Sequence, residues 1–103
     1  MVKVLTDANF KEEIKEGVVV VDFYADWCGP CKMMAPVLDS VSEKVEDFTV
    51  MKLNVTDNPK TATEYKIMSI PAFGIFKDGE LLGMLGGFKP EEVFVQEVRN
   101  VIG

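Results

Sequence analysis

The feature that most constrains the fold of this chain is a short apolar run followed closely by two cysteines. Residues Val18–Tyr24 are apolar on both alternating faces apart from Asp22, which is typical of a central strand covered on both sides. The segment Trp27–Lys32 reads Trp-Cys-Gly-Pro-Cys-Lys, and its Gly-Pro pair suits the first turn of a helix. The sequence therefore predicts that its only two cysteines, Cys28 and Cys31, lie where a central strand leads into a helix.

Hydrophobic periodicity and turn residues predict the other elements. Asp78-Gly79 is a strong signal for a two-residue hairpin, and Asn58-Pro59 suits the cap and first position of a short helix. The predicted strands are 2–5, 18–24, 48–55, 72–76 and 81–85, and the predicted helices run from a cap at Thr6 to Gly17, from about 28 to 45, from 58 to about 66, and from 90 onward. This βαβαβαββα order predicts an α/β fold, a mixed central sheet with helices on both faces. Because the crevice of an open α/β sheet lies beyond the carboxyl ends of its parallel strands, we expect the cysteine pair there.

The length of the chain favours a chemical role for the cysteines over a structural one. At 103 residues the sequence predicts a single domain over residues 1–103, large enough to bury a core without disulfide staples. A Cys-x-x-Cys ring also closes too short a loop to stabilise the fold much. The pair is therefore expected to serve chemistry.

Charge and hydropathy exclude several classes of partner. The formal net charge of −6 argues against a nucleic acid or an anionic membrane. No apolar stretch approaches the length of a membrane span, and residues 1–5 run into polar positions without the apolar core of a signal peptide. We therefore expect a cytoplasmic protein, in a reducing compartment where a cysteine pair is usually catalytic or metal-binding.

The absence of histidine narrows the chemistry further. A Cys-His nucleophilic pair is impossible within this chain, and a zinc site would have only two soft ligands. No metal and no cofactor is predicted, although a metal cluster bridging two chains stays open as a remote alternative.

The positions of the cysteines predict different roles for them. Cys28 comes first, at the expected helix N-terminus, where partial positive charge stabilises the attacking thiolate. Cys31 lies one turn later and is expected to point inward and resolve the mixed disulfide. The alternative is a pair of buried, inert small side chains.

The cysteine motif and four further blocks resemble the thioredoxin family over essentially the whole chain. The matching blocks are Trp27–Lys32, Val21–Asp26, Lys52–Val55, Ser69–Pro71 and Phe76–Glu80. The resemblance implies a thioredoxin fold and a protein-disulfide reductase that acts through a mixed disulfide at Cys28. It also implies disulfide-containing client proteins and a thioredoxin reductase, either a flavoprotein or ferredoxin-dependent, as partners of a monomer.

The resemblance gives two charged residues a part in the reaction. Asp22 has apolar neighbours on both faces, so burial is expected to raise its pKa. The resemblance implies that it accepts a proton from Cys31 and that Lys52 is its partner. The alternatives are an Asp at a strand end that meets water and an ordinary solvated lysine.

Client binding is also inferred from the resemblance. It implies a cis peptide bond at Ile70-Pro71 beside the disulfide, where exposed backbone can pair with an extended client segment. The remaining candidate binding residues are Trp27, Gly29, Pro30 and Gly87. The alternatives are a trans proline that enters a strand and a tryptophan that belongs to the core.

Three residues depart from the family pattern. Tyr24 stands where many relatives have tryptophan, Ala72 where threonine is common, and Gly86 where a larger apolar residue is usual. The last two leave partner preference open. An oxidant or isomerase, and a binding module without turnover, are the competing functions.

Overall fold

The valine-rich run forms the central strand of a mixed sheet. The computed structural model describes residues 2–103, and within them it has five strands and four helices in the predicted order. The elements are β1 (Lys3–Leu5), α1 (Phe10–Glu13), β2 (Val18–Tyr24), α2 (Gly29–Lys44), β3 (Thr49–Asn54), α3 (Pro59–Glu64), β4 (Ala72–Lys77), β5 (Glu80–Gly86) and α4 (Glu91–Ile102). The predicted α/β fold with a mixed sheet is confirmed.

The sheet has the strand order β1-β3-β2-β4-β5. Strands β1 and β2 both run parallel to β3, whereas β4 runs antiparallel to β2 and to β5. Antiparallel pairing is thus more extensive than the hairpin alone predicts, because β4 enters the sheet beside β2 rather than beside β3. The carboxyl end of β2 therefore lies next to the amino end of β4, which brings Tyr24 and Ala72 to one edge.

Helices cover both faces because side chains of the central strand alternate between two cores. Val20 packs with residues of α2 and α4, including Met34, Leu38 and Phe94. Val21 belongs to the other core, whose buried residues also include Val19, Phe23, Phe10, Ile14 and Phe76. Each face of β2 is thus buried, as its apolar composition predicts.

The ends of two helices differ from the predicted ones. Helix α1 begins at Phe10 with Asn9 at its cap position, one turn later than a cap at Thr6 predicts. Thr6 caps the preceding turn instead, since its hydroxyl accepts from Asn9 N–H at 3.2 Å. Helix α3 ends at Glu64, short of the predicted end, because Lys66 adopts a positive φ of 55° that a helix cannot continue.

Asp78 and Gly79 form the tight turn that their sequence predicts. Both have positive φ, 49° and 86°, which is the backbone of the two-residue turn that joins twisted antiparallel strands.

Within residues 2–103, no helix is both long and apolar enough to cross a membrane.

Candidate active site

The cysteine pair lies at the start of α2, as predicted. Cys28 is the N-cap residue, with an extended backbone, and Gly29 and Pro30 open the helix. Cys28 and Cys31 form a disulfide with their Cα atoms 5.2 Å apart. The backbone N–H of Cys31 donates to Sγ of Cys28 at 3.2 Å. The same N–H group, together with the positive end of the helix, can stabilise a thiolate on Cys28 after reduction.

The disulfide lies among apolar side chains rather than in open solvent. Both cysteines are buried and form a small cluster with Ala25. Partly buried Tyr24, Val55 and Ile70 pack against this cluster. A protein client must therefore dock closely for its disulfide to reach the sulfur atoms.

Asp22 lies on the face of β2 that α2 covers. The residue is 4% exposed, and its Oδ1 atom has no hydrogen-bond partner among the residues that the structure describes. Burial raises the pKa of this carboxyl group to about 7, although the charge of Lys52 acts to lower it. The predicted upward shift is confirmed in direction, and its cause is the desolvation of a charged group.

A cleft of about 330 Å³ joins Asp22 to the cysteine pair. Its walls include Asp22, Cys31, Lys52 and Tyr24. A space of this size can hold water molecules, and the unpartnered Oδ1 atom itself lies buried behind the wall of the cleft. Asp22 and Cys31 thus line one cleft that is large enough for water molecules to carry a proton between them.

Lys52 lies beside Asp22 without pairing to it. The two residues are register partners between β2 and β3, so their side chains point to the same face. Within residues 2–103, Lys52 forms no salt bridge. Its Nζ atom lies instead 5.6 Å from the centre of the Tyr24 ring.

The Ile70-Pro71 bond is cis, as the resemblance implies. Ile70 packs against the disulfide cluster, and its own N–H and C=O groups make no hydrogen bond to any described residue. Gly87 lies beside this segment, since its N–H donates to the carbonyl oxygen of Pro71 at 3.0 Å. The loop after β5 is thereby held next to the cis proline.

The remaining candidate binding residues lie on the surface. Trp27 is 73% exposed, and Gly29, Pro30 and Gly87 are exposed as well. The structure thus brings the cysteines together with Asp22, Lys52, Ile70 and Pro71, and it leaves Trp27 uncovered next to Cys28. An uncovered tryptophan is uncommon unless it meets a partner.

The sequence gives no functional role to two residues of this region. Tyr24 departs from the family pattern, and it lines the Asp22 cleft. The alternation of β2 could have identified it, because residues two apart on a strand share a face. Met68, which is 93% exposed and close in sequence to Ile70, gave no periodic signal.

In the described part of the chain, the positions of the side chains do not support a metal site. Among residues 2–103, no three His, Cys, Asp or Glu side chains gather closely enough to hold a metal ion.

Comparisons with known proteins agree with this geometry. A family model described as Thioredoxin matches residues 1–100. A thioredoxin of Listeria monocytogenes is 46% identical over 103 residues, which cover 99% of this chain and 100% of that protein. Thioredoxins of Staphylococcus haemolyticus and Staphylococcus aureus are 50% and 48% identical over 89 residues, covering 85% of this chain and 86% of each relative.

These matches confirm the function that the sequence predicts, the reduction of protein disulfides by dithiol-disulfide exchange. The chain belongs to the thioredoxin family and is a protein-disulfide oxidoreductase with a Cys28–Cys31 redox pair.

Proposed function

We propose that Cys28 is the attacking thiol and Cys31 the resolving thiol. The observation that carries this assignment is the position of Cys28 at the cap of α2, where its Sγ accepts from Cys31 N–H. The Cys28 thiolate attacks one sulfur of a client disulfide and releases the other as a thiolate. The Cys31 thiolate then attacks Sγ of Cys28 and releases the second client sulfur. The client gains two electrons and two protons, and the enzyme becomes the disulfide.

Asp22 accepts the proton that Cys31 loses during the second exchange. Its position in the same cleft as Cys31, and its pKa of about 7, support this role. A base works best when its pKa lies near the working pH, because it can then both accept and release a proton. The positive charge of Lys52 partly offsets the rise in the pKa of Asp22 that burial causes.

Clients dock on a surface formed by the candidate binding residues. We call it the docking surface; it consists of Trp27, Gly29, Pro30, Ile70, Pro71 and Gly87. The free N–H and C=O groups of Ile70 support pairing with an extended client segment, in the manner of an added strand. Trp27, directly before Cys28 in the sequence, supplies exposed aromatic area.

Membership of the thioredoxin family implies disulfide-containing clients and a reductase that regenerates the dithiol. The reductase is a thioredoxin reductase, either a flavoprotein or ferredoxin-dependent. We further infer that residues 1–103 act as one domain and one monomer in the cytoplasm. The net charge of −6 supports protein partners over nucleic acid or membrane.

Trapping of mixed disulfides tests the assignment of the two thiols. Cys31→Ser should accumulate covalent adducts with a purified disulfide client, because the resolving thiol is missing. Cys28→Ser is the matched control and should trap little. Adducts that form equally in both variants, or only in Cys28→Ser, would contradict the proposal. Non-reducing electrophoresis followed by peptide mapping identifies the cysteine that carries the client.

A further inference from the structure

Tyr24 and Lys52 form a contact that the exchange reaction itself does not require. Tyr24 follows Asp22 by two residues on β2, so both side chains lie on the face towards α2. The Lys52 Nζ atom is 5.6 Å from the centre of the Tyr24 ring, within the range of a cation–π interaction. Both residues, together with Asp22, line the same cleft.

The charges around the cleft do not otherwise explain where the ammonium group of Lys52 lies. Asp26 from the loop after β2 and Lys32 from α2 also line the cleft, and Asp57 after β3 acts on the Tyr24 hydroxyl. None of the described acidic residues forms a salt bridge with Lys52, and the nearby Asp22 keeps an unpartnered Oδ1 atom. The contact with the aromatic ring is therefore the specific interaction that the structure gives this cation.

The interaction of the Tyr24 ring with the Lys52 cation stays the same as long as the phenol keeps its proton. Burial raises the pKa of Tyr24, and the negative charges of Asp26, Asp22 and Asp57 raise it further. The phenol therefore stays protonated throughout the range in which Asp22 titrates, and the ring interaction is constant over that range.

We propose that Tyr24 is a positioning residue: its ring holds the Lys52 ammonium group beside the Asp22 carboxylate without pairing to it, and thereby sets the pH at which Asp22 exchanges its proton. A free ammonium group with three donors would hydrogen-bond the unpartnered oxygen and favour the ionised carboxylate. When the Tyr24 ring holds the ammonium group, that group favours ionisation of Asp22 only through its positive charge at a distance, without a hydrogen bond. This inference rests on the proton role proposed for Asp22 above.

The pKa of Asp22, read from its carboxyl carbon by NMR in the oxidised protein, tests the inference directly. Tyr24→Leu removes the ring and should lower this pKa by roughly half a unit to one unit, the size expected for a lost cation–π contact. Tyr24→Phe keeps the ring without the hydroxyl and should leave the pKa unchanged. Tyr24→Met is a second variant without a ring, in case Tyr24→Leu does not fold.

Lys52→Met completes a double-mutant cycle, because Tyr24 acts on Asp22 through Lys52. In that background, Tyr24→Leu should lose most of its effect on the pKa of Asp22. An equal shift with and without Lys52 would mean that the ring only shields Asp22 from water, and would overturn the inference. Tyr24→Phe behaving like Tyr24→Leu, or no shift in either variant without a ring, would overturn it as well.

The result of the NMR titration does not depend on whether the proton role proposed for Asp22 is correct. The oxidised protein undergoes no exchange, so the pKa of Asp22 is read whether or not Asp22 takes the proton of Cys31. If Asp22→Asn left the resolving step unchanged, the proton role would fail, whereas the coupling of Tyr24 to Lys52 would still be decided by the NMR titration.

Discussion

The backbone N–H of Cys31 donates to Sγ of Cys28, so the two cysteines are linked by a helix-cap hydrogen bond as well as by their disulfide. An N–H group in this position can stabilise a thiolate on Cys28 once the disulfide is reduced. Cys31 lies within the first turn and makes no equivalent contact among the described residues.

The reduced protein should therefore react at Cys28 first. Because iodoacetamide attacks thiolates, we expect alkylation of Cys28 at pH 7 to be at least about tenfold faster than that of Cys31. Mass spectrometry of peptides from a time course measures both rates. Cys28→Ser, in which only Cys31 can react, gives the reference rate. Faster alkylation of Cys31 in the unmodified sequence would show that the helix cap does not select the nucleophile.

Replacement of Asp22 by asparagine should stabilise the fold at neutral and alkaline pH. The folded-state pKa of about 7 lies above the ordinary value of 3.8, so the native protein keeps a proton that the unfolded chain has already lost. Stability consequently falls as pH rises from about 4 to about 7 and stays low above it. Asp22→Asn removes this loss, and we expect it to raise the free energy of unfolding by about 2–4 kcal/mol at pH 8, and by little at pH 4.

Guanidinium unfolding of the oxidised proteins at the two pH values measures this difference. Asp26→Asn is the matched control, because Asp26 lines the same cleft but is exposed. It should change stability little at either pH. A stabilisation by Asp22→Asn that is equal at pH 4 and pH 8 would show that burial of the charge is not its cause.

Local sequence signals predicted much of the fold and of the site. The apolar composition of β2 predicted its central position, and Asp78-Gly79 predicted the hairpin whose positive φ angles the structure shows. The Gly-Pro spacer predicted the start of α2. Each signal depends on residues close together in the chain, and such signals survive in the tertiary structure.

Contacts between distant segments could not be predicted in this way. Asn58 holds the cap position of α3, yet its side chain accepts from Asp7 N–H at 2.8 Å instead of capping its own helix. The direction of β4 also depends on the strand beside which it pairs. The length of the preceding loop does not determine that strand. The contact of Tyr24 with Lys52 likewise depends on the register between β2 and β3.

The Asp7 carboxylate caps α3 from the turn that follows β1, at the same end of the sheet. Its Oδ1 atom accepts from Thr61 N–H at 2.8 Å and from the Thr61 hydroxyl at 2.7 Å, and Oδ2 accepts from Lys60 N–H at 3.2 Å. Although burial acts to raise the pKa of Asp7, these hydrogen bonds outweigh it and the pKa is lowered. The ionised carboxylate therefore stabilises the fold, and this contribution is lost as pH falls below the ordinary value of 3.8.

Asp7→Ala should lower the denaturation midpoint at pH 7, and the difference from the unmodified sequence should shrink below pH 3.5. Asp7→Asn keeps one acceptor oxygen and should lose less. Thr61→Val removes only the hydroxyl donor and should fall between the unmodified sequence and Asp7→Ala. Equal midpoints for Asp7→Ala and the unmodified sequence would show that α3 does not depend on this cap.

Gly86 shapes the docking surface next to the cis proline. It pairs with Ala72 between β4 and β5, and a Cβ atom at Gly86 would have Pro71 O as its nearest neighbour, at 3.8 Å. A larger side chain therefore fits without strain but projects beside Pro71, where we propose that clients bind.

Gly86→Val should change kcat/KM for a protein disulfide several-fold and leave kcat/KM for a small aromatic disulfide within about twofold, because only the protein reaches that position. Leu82→Val, an exposed change elsewhere on β5, is the control and should alter neither value. Equal changes for both substrates would mean that Gly86 acts on the thiols, and unchanged values for both would remove this strand from client binding.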